Sequence, residues 1–334
     1  MIFGDVALAD AEGAVLAHSV GLGEKGRLRK GRVLEAEDIA TLRAAGVAQV
    51  TVARLEDDDV HEDAAAQALA EAFVPDPEGQ GLTLTQAFTG RVNLLAAAPG
   101  VVELDVAAIE TVNQLHPMIT IATVPQFQQM AAGGMVATIK IISYAVPHSA
   151  LTLACEAARD AIRVRVPVLK NVALVISDIP GGAGDKGWRA IADRVAALDL
   201  EMDAPLLVSH DVDDIAKAVA ELPHELVLIL TGSATSDIND VAPSAVRAAG
   251  GEVSRFGMPV DPGNLLFIGT QGGRAIIGLP GCARAPALNG ADWVMGRVIC
   301  GIPVTDADIS GMGIGGLLKE IPTRPHPRRK QREP

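Results

Sequence analysis

The chain has 334 residues, of which 49% are hydrophobic and 21% charged, so it is long enough for two or three domains with apolar cores. Its formal net charge of −13 and its 3% aromatic content argue against a general binder of nucleic acids or anionic membranes. Three cysteines without CxxC spacing and seven histidines without HxH or HExxH spacing argue against a disulfide framework and a zinc site.

The first 13 residues, MIFGDVALADAEG, carry acidic side chains where a secretory signal peptide carries basic ones. No uninterrupted apolar run approaches the roughly 20 residues that span a bilayer. These features predict a cytoplasmic protein without a membrane-spanning segment.

Residues 1–80 predict a small α/β lobe. Within them, Ile39 and Leu42 fall on one helical face, Gly46 stops that helix, and the apolar strand VAQVTVARL follows. A second helix is predicted at about 61–73, before the linker VPDPEGQG, which is rich in Pro, Gly and acidic residues.

Residues 81–148 predict a mixed, β-rich lobe, because the apolar spacing changes to that of strands in GRVNLLAAAPGVVELD and GGMVATIKIISYAVP. One helix is predicted between these strands, at about 106–115. No catalytic pattern stands out here, and Lys140 and His148 are interpreted as surface residues.

Residues 149–305 alternate short apolar strands with amphipathic helices. This alternation predicts an α/β domain built on a doubly wound, mostly parallel sheet that is covered on both faces. The basic, Pro-rich segment 306–334 is predicted to be a tail with a disordered end.

Four polar loops follow strands of this domain at their carboxyl ends, where ligands bind in such sheets. They are SDIPGGAGDKG, SHDVDD, TGSATSDIND and GLPGCARAP, and all are rich in Gly, Ser, Thr or Asp. The first is not a Walker A loop, because the GxxxxGK[ST] spacing ends in Gly187. Its Lys186 is nevertheless a candidate point-charge partner for a phosphate.

The loop at 231–240 has the composition of an anion site. Gly232 allows a tight turn at the end of the strand. Backbone amides at a helix start, with the hydroxyls of Ser233, Thr235 and Ser236 beside them, suit phosphate recognition.

Asp240, at the end of this loop, has two interpretations. It is a good N-cap for a helix that carries Pro243 in its first turn, a role worth about 1 kcal/mol. It is also a candidate magnesium ligand, because a carboxylate beside a phosphate needs a cation between them.

The loop GLPGCARAP leaves two interpretations open as well. Pro280 and Gly281 end a strand, and the fork-shaped guanidinium of Arg284 suits phosphate, but a rigid turn with a surface arginine fits the same residues. Cys282 is interpreted as a small buried residue, although its position near Arg284 also fits a reactive thiol.

Residues 171–300 resemble the molybdopterin-binding domain shared by molybdopterin adenylyltransferases and molybdenum insertases. Five stretches match that family's pattern in order. The main signature of the family, TGG-x-S/T-x-G-x-x-D, corresponds to TGSATSDIND, and its LPGNP stretch corresponds to LPGCARAP. The other three matching stretches are VISDIPGG, SHDVDDIA and DPGNLLFIG. The matching residues are Thr231, Gly232, Thr235 and Asp240 in the signature, and Pro262, Gly263 and Gly269 in the stretch that follows. Over most of its length the chain is similar to a molybdopterin-binding protein that in some bacteria is fused to a MobA-like cytidylyltransferase.

The chain departs from this pattern in several places. Ser233 and Asp237 replace glycines of the signature, and Cys282 and Ala283 replace the Asn and Pro of LPGNP. The few residues after Cys300 leave no room for the β-barrel domain of an insertase. The resemblance therefore implies binding of the pterin's phosphate more firmly than adenylylation or metal insertion. Asp237 beside Asp240 either helps to hold Mg²⁺ or marks a site no longer built for nucleotide transfer.

From the resemblance we predict a MoeA-like molybdopterin-binding protein of molybdenum cofactor biosynthesis that forms a homo-oligomer. The terminal phosphate of molybdopterin is expected against residues 231–236. The residues expected to line the rest of the cleft are Gly181, Gly182, Pro280, Gly281 and Arg284.

The resemblance leaves catalysis open. As a transferase, the protein would use ATP or CTP, or molybdate, with Asp240 positioning Mg²⁺ for in-line transfer. The alternative is a non-catalytic carrier or regulatory subunit that presents molybdopterin to a separate cytidylyltransferase. A third possibility keeps the fold and binds a pyridine nucleotide instead.

Overall fold

The computed structural model describes residues 1–23 and 26–318 and divides the chain into two compact units. The first unit contains Met1–Ala98, Val102–Gln126 and Ala132–Val164, and the second contains Pro99–Val101, Phe127–Ala131 and the chain from Arg165 onward. The division into four sequence segments stays a prediction. The expected disordered end of the tail lies outside the described residues.

In its described residues, the first unit contains four α-helices and several small antiparallel sheets. Its helices are α1 (Ala36–Ala44), α2 (Glu62–Phe73), α3 (Val106–Leu115) and α4 (His148–Ala158). Its strands are β1 (Ile2–Ala7), β2 (Val15–Leu16), β3 (Val20–Gly21), β4 (Arg27–Leu28), β5 (Gln49–Arg54), β6 (Asp59–His61), β7 (Leu82–Leu84), β8 (Arg91–Ala96), β10 (Ile119–Thr123), β12 (Met135–Ile141) and β13 (Ala145–Pro147). The sheet orders are β1-β5-β2, β10-β12-β8-β7, β13-β6 and β3-β4. Three further strands of the chain are β9 (Gly100–Leu104), β11 (Gln129–Met130) and β14 (Ile162–Arg165).

The three helices predicted for residues 1–148 are confirmed as α1, α2 and α3. Ile39 and Leu42 lie buried on the same face of α1, as their spacing predicts. His148 is exposed, as expected, and Lys140 keeps part of its side chain at the surface. Its side chain is half-buried because its ammonium group pairs with the buried carboxylate of Glu62 at 3.5 Å.

The second unit is built on a six-stranded sheet in the order β16-β15-β17-β20-β19-β18. Its strands are β15 (Val172–Asp178), β16 (Leu206–Ser209), β17 (Leu226–Leu230), β18 (Glu252–Phe256), β19 (Phe267–Gln271) and β20 (Arg274–Leu279). Its helices are α5 (Trp188–Ala196), α6 (Val212–Glu221), α7 (Val241–Ala248), α8 (Gly290–Ile299) and α9 (Asp306–Gly311). Strands β15, β16, β17 and β20 run parallel, while β18 and β19 pair antiparallel, so the predicted mostly parallel sheet is confirmed.

The apolar strands of this sheet contribute to two different hydrophobic clusters. Leu174 and Ile176 of β15 pack in one cluster with residues of α5 and α8. Val175, between them, packs in the other cluster with residues of α6 and α7. Successive side chains of a strand point to opposite faces, so a continuous apolar run supplies both clusters.

Membrane insertion by a helix is not supported in the described part of the chain. Between residues 1 and 318, apart from positions 24 and 25, none of the helices is long and apolar enough to cross a bilayer.

Cys300 lies in the first of these clusters and has no exposed surface. Burial raises the pKa of its thiol to about 11. Because the thiolate is the reactive species, we expect alkylation of Cys300 at pH 8 to be about 100-fold slower than that of an exposed thiol. Iodoacetamide labelling followed by peptide mass spectrometry, with and without denaturant, measures this. Rapid labelling in the folded protein would contradict the buried position.

Candidate functional site

The carboxyl ends of the four parallel strands bring the predicted loops together at one edge of the sheet. Ser177 is near the end of β15, and its Oγ lies 2.8 Å from Nδ1 of His210, which follows β16. The amide of Gly232, just after β17, donates to the same Oγ at 3.4 Å. Arg284, after β20, donates to carbonyl groups of two of these loops. The loops thus form one site in the second unit.

In the loop at 231–240, two threonines are buried and bonded to each other. Thr231 donates its hydroxyl to the carbonyl oxygen of Ser233 at 2.5 Å, and its Oγ lies 3.3 Å from that of Thr235. Thr231 is 8% exposed and Thr235 is 7% exposed. Their hydroxyls therefore fix the shape of the loop, whereas the prediction treated Thr235 as a donor to the ligand.

The backbone of this loop presents free donors. Within the described residues, the amides of Ser233, Ala234 and Thr235 donate to no other group of the protein. Ser233 and Ala234 are exposed, and the stretch leads to the start of α7. Consecutive free amides near a helix N-terminus are suited to an anion.

Asp240 caps α7, as one of its two interpretations predicts. One carboxylate oxygen accepts the amide of Val241 at 2.7 Å, and the other accepts the amide of Ser236 at 2.9 Å and its hydroxyl at 3.4 Å. These bonds, above all that from the Ser236 amide, lower the pKa of Asp240.

Replacement of Asp240 with alanine is expected to lower the free energy of unfolding at pH 7 by about 1 kcal/mol, because it removes the cap. Since the folded-state pKa of Asp240 is lowered, the charge-dependent part of this stabilisation is present above about pH 4 and is lost as the pH falls further. Urea unfolding at pH 7 and pH 3 measures the difference. Asp240→Asn, which keeps a good cap, is the control and should lose only a few tenths of a kcal/mol. Equal losses for both variants would contradict a capping role.

Asp237, the second magnesium candidate, is exposed and accepts the amide of Asn239 at 2.8 Å. In the part of the chain that the structure describes, no three His, Cys, Asp or Glu side chains are grouped so that they could hold a metal. Asp237 and Asp240 therefore do not make a magnesium site by themselves, and the ion stays a prediction that depends on oxygens from a ligand and water.

Arg284 connects the loops rather than extending from a surface turn. Its Nη1 donates to the carbonyls of Gly184 at 3.1 Å and Lys186 at 2.6 Å, and its Nη2 donates to that of Thr231 at 3.2 Å. The side chain is half-buried, and this burial lowers the pKa of its guanidinium. Both predicted roles, phosphate donor and surface arginine, overlooked this clamping function.

The remaining predicted site residues lie in the flanking turns. Gly181 is exposed with a φ of +74°, and the amide of Gly182 closes a turn on the carbonyl of Ile179 at 2.8 Å. Pro280 precedes a short 3-10 helix that begins at Gly281 and ends at Arg284. Cys282 within that helix is half-buried, so the buried position predicted for it is not confirmed.

An open cleft of about 990 Å³ lies beside these loops, along β16 and α6. Asp178, Gly181 and His210 line it at the loop end, and Asp214 and Lys217 line it along α6. Residues 231–236 do not line it, so the amide row and the cleft are neighbouring parts of the site rather than one cavity. Sequence reasoning identified the SHDVDD loop but missed His210, because nothing in the sequence alone places it opposite Ser177.

Comparisons with known proteins leave the family unassigned. The model of a domain of unknown function, DUF8806, matches residues 5–54, and no curated protein matches. Among solved structures, a molybdopterin biosynthesis moeA protein from Pyrococcus horikosii is 12% identical with a TM-score of 0.28, covering 93% of this chain and 76% of its own. A molybdenum cofactor biosynthesis protein from Pyrococcus furiosus is 13% identical with a TM-score of 0.24, covering 93% of this chain and 65% of its own. Neither fold nor function is inferred from TM-scores this low.

Proposed function

We propose that this chain is a molybdopterin-binding protein of molybdenum cofactor biosynthesis. In this proposal the six-stranded sheet is the doubly wound sheet of a molybdopterin-binding domain, and the ligand lies at the carboxyl ends of its parallel strands. The observation that carries the proposal is the row of free amides at Ser233, Ala234 and Thr235, located where the family signature falls in the sequence.

The phosphate would be bound mainly by backbone donors. The amides of residues 233–235 and the positive end of the α7 dipole supply local attraction in a protein whose net charge is −13. Lys186, exposed and without an ion pair among the described residues, adds a point charge in the neighbouring loop. Arg284 supports this site indirectly, because its donors already bind the carbonyls that hold the loops together.

The cleft suits the other end of molybdopterin. The aminopyrimidinone edge of a pterin presents N–H groups, and carboxylates accept such donors. Asp178, Asp214 and Glu221 line the cleft and supply those acceptors. An acidic cleft beside a row of amides therefore matches a ligand with a donor-rich ring at one end and a phosphate at the other.

The carrier alternative has a specific observation in its favour. Both oxygens of Asp240 already accept hydrogen bonds from Ser236 and Val241, which fits a cap better than a metal ligand. We therefore favour binding and presentation of molybdopterin to a separate cytidylyltransferase over nucleotidyl transfer or molybdate insertion by this chain. Homo-oligomer formation and a cytoplasmic location remain part of the proposal.

Anaerobic titration with molybdopterin, followed by intrinsic fluorescence or calorimetry, tests binding. We expect a Kd in the micromolar range or tighter. Two exposed lysines provide a matched pair: Lys186 follows the carboxyl end of β15, and Lys170 precedes its amino end. Lys186→Ala should weaken binding about 3- to 10-fold, whereas Lys170→Ala should leave it unchanged. No binding by the wild type, or equal effects of the two variants, would contradict the proposal.

Turnover separates carrier from enzyme. The protein is incubated with molybdopterin, Mg²⁺ and either ATP, CTP or molybdate, and the products are identified by mass spectrometry. A carrier gives no product alone and raises the rate of an added cytidylyltransferase. Product formed by the wild type and lost in Asp240→Asn, which retains the cap, would assign catalysis to Asp240. Mass spectrometry of any co-purified ligand distinguishes molybdopterin from a pyridine nucleotide.

A further inference from the structure

A buried serine and a half-buried histidine form a pair at the centre of the site. Ser177 has no exposed surface, and its Oγ lies 2.8 Å from Nδ1 of His210. The amide of Gly232 donates to the same Oγ at 3.4 Å. The hydroxyl of Ser177 has one proton and two lone pairs, so while one lone pair accepts this amide the proton is available to Nδ1.

A hydrogen bond donated by Ser177 to Nδ1 selects one tautomer of His210. A neutral imidazole that accepts at Nδ1 carries its proton on Nε2. Within residues 1–23 and 26–318, Nε2 of His210 has no hydrogen-bond partner, and it is not among the fully buried atoms that lack one. His210 also lines the open cleft. In this tautomer the pair would present an oriented N–H donor to a ligand in the cleft.

The donor lies near the loop that carries the free amides. The hydrogen bond between Gly232 and Ser177 links the start of that loop to the pair. His210 thus lies where the cleft adjoins the loop that carries the free amides.

A Ser–His pair at this distance also occurs in enzymes that use serine as a nucleophile. Here the hydroxyl of Ser177 is fully buried, and one of its lone pairs accepts the Gly232 amide. A substrate cannot reach it without opening the sheet edge. Ser177 therefore orients His210 instead of attacking a ligand.

We propose that His210 binds a phosphate oxygen of the ligand through Nε2–H, and that Ser177 is the positioning residue that holds His210 in this tautomer. The inference deepens the proposed function and rests on it for the identity of the ligand. Its phosphate chemistry is tested separately with inorganic phosphate.

The two ring nitrogens allow a discriminating pair of variants. His210→Gln places an N–H donor near the position of Nε2 and loses the acceptor at Nδ1. His210→Asn places an acceptor near Nδ1 and loses the donor at Nε2. If Nε2 binds the ligand, molybdopterin affinity should stay within about threefold of wild type in His210→Gln and fall about tenfold in His210→Asn. If His210 only supports the fold through Ser177, molybdopterin affinity should be kept in His210→Asn and fall in His210→Gln.

The same protein is then titrated with inorganic phosphate at pH 8, and the side-chain nitrogens of His210 are observed by ¹⁵N NMR. We expect a protonated Nε2 in the free protein, a phosphate-dependent shift of that nitrogen, and a mixed tautomer in Ser177→Ala. His148→Asn, at an exposed histidine of the first unit, serves as the control and should change neither affinity nor shift.

The outcomes separate the two proposals. If phosphate shifts Nε2 but molybdopterin does not bind, the proposed function fails and the role of His210 stands. If molybdopterin binds but phosphate leaves Nε2 unchanged, the role of His210 is overturned. It is also overturned if both variants match the wild type, if both lose affinity equally, or if Nδ1 carries the proton.

Discussion

Replacing Gly232 with valine is expected to abolish detectable molybdopterin binding and to lower the free energy of unfolding by about 2–4 kcal/mol. A Cβ atom at this position would lie 2.8 Å from the carbonyl oxygen of Ser177 and 3.1 Å from the amide nitrogen of Ile179. Both neighbours are backbone atoms of the adjacent strand end, so they cannot move aside as a flexible side chain would. The loop at 231–240 must shift instead, and the amide row moves with it.

Gly311→Val is the control for this substitution. Gly311 is also in the second unit and has no atom within 4 Å of its Cβ position. Unfolding in urea and titration with molybdopterin are measured for both variants. Near-wild-type stability and affinity in Gly232→Val would show that the loop does not depend on the close approach to Ser177. Loss of binding in the Gly311 variant as well would mean that binding responds to general destabilisation.

Much of the second unit was predictable because its apolar runs and amphipathic helices follow simple periodicities. The run at 172–178 is buried along almost its whole length, as a central parallel strand requires. The antiparallel pairing of β19 with β20 was not predicted, although a signal for it was present. Gly272 and Gly273 separate two apolar runs by two residues, which is typical of a hairpin.

The meeting of the four loops at one sheet edge was predictable, but the contacts of their side chains were not. The rule that ligands bind at the carboxyl ends of parallel strands locates the loops from strand order alone. The roles of Thr235, His210 and Arg284 depend on partners that periodicity does not reveal. Arg284 bonds to a carbonyl 53 positions earlier in the chain, and His210 bonds to a hydroxyl 33 positions earlier. Composition marks such residues as polar and near a turn, but only the fold shows what they contact.

The clamp formed by Arg284 leads to the second large expected effect. Arg284→Ala removes three hydrogen bonds from a charged donor to the carbonyls of Gly184, Lys186 and Thr231. We expect the free energy of unfolding to fall by about 2–3 kcal/mol, since bonds to charged groups are the stronger ones and this side chain is only half-buried. Arg284→Lys should recover little, because a single ammonium group cannot reach carbonyls on two loops as the planar guanidinium does.

A second arginine, on the strand that precedes the Arg284 turn, separates a local effect from a global one. Arg274 begins β20, at the end away from the site, and donates to the carbonyl of Val219. Arg274→Ala should therefore lower stability without changing the site. Hydrogen exchange measured by mass spectrometry should rise at the hydrogen-bonded amides of the two loops, those of Gly184, Lys186 and Gly232, in Arg284→Ala and stay unchanged there in Arg274→Ala. Molybdopterin affinity should fall only in the first variant. Faster exchange at the site in both variants would show that the loops respond to overall stability, so that Arg284 would no longer explain how the free amides are kept in place.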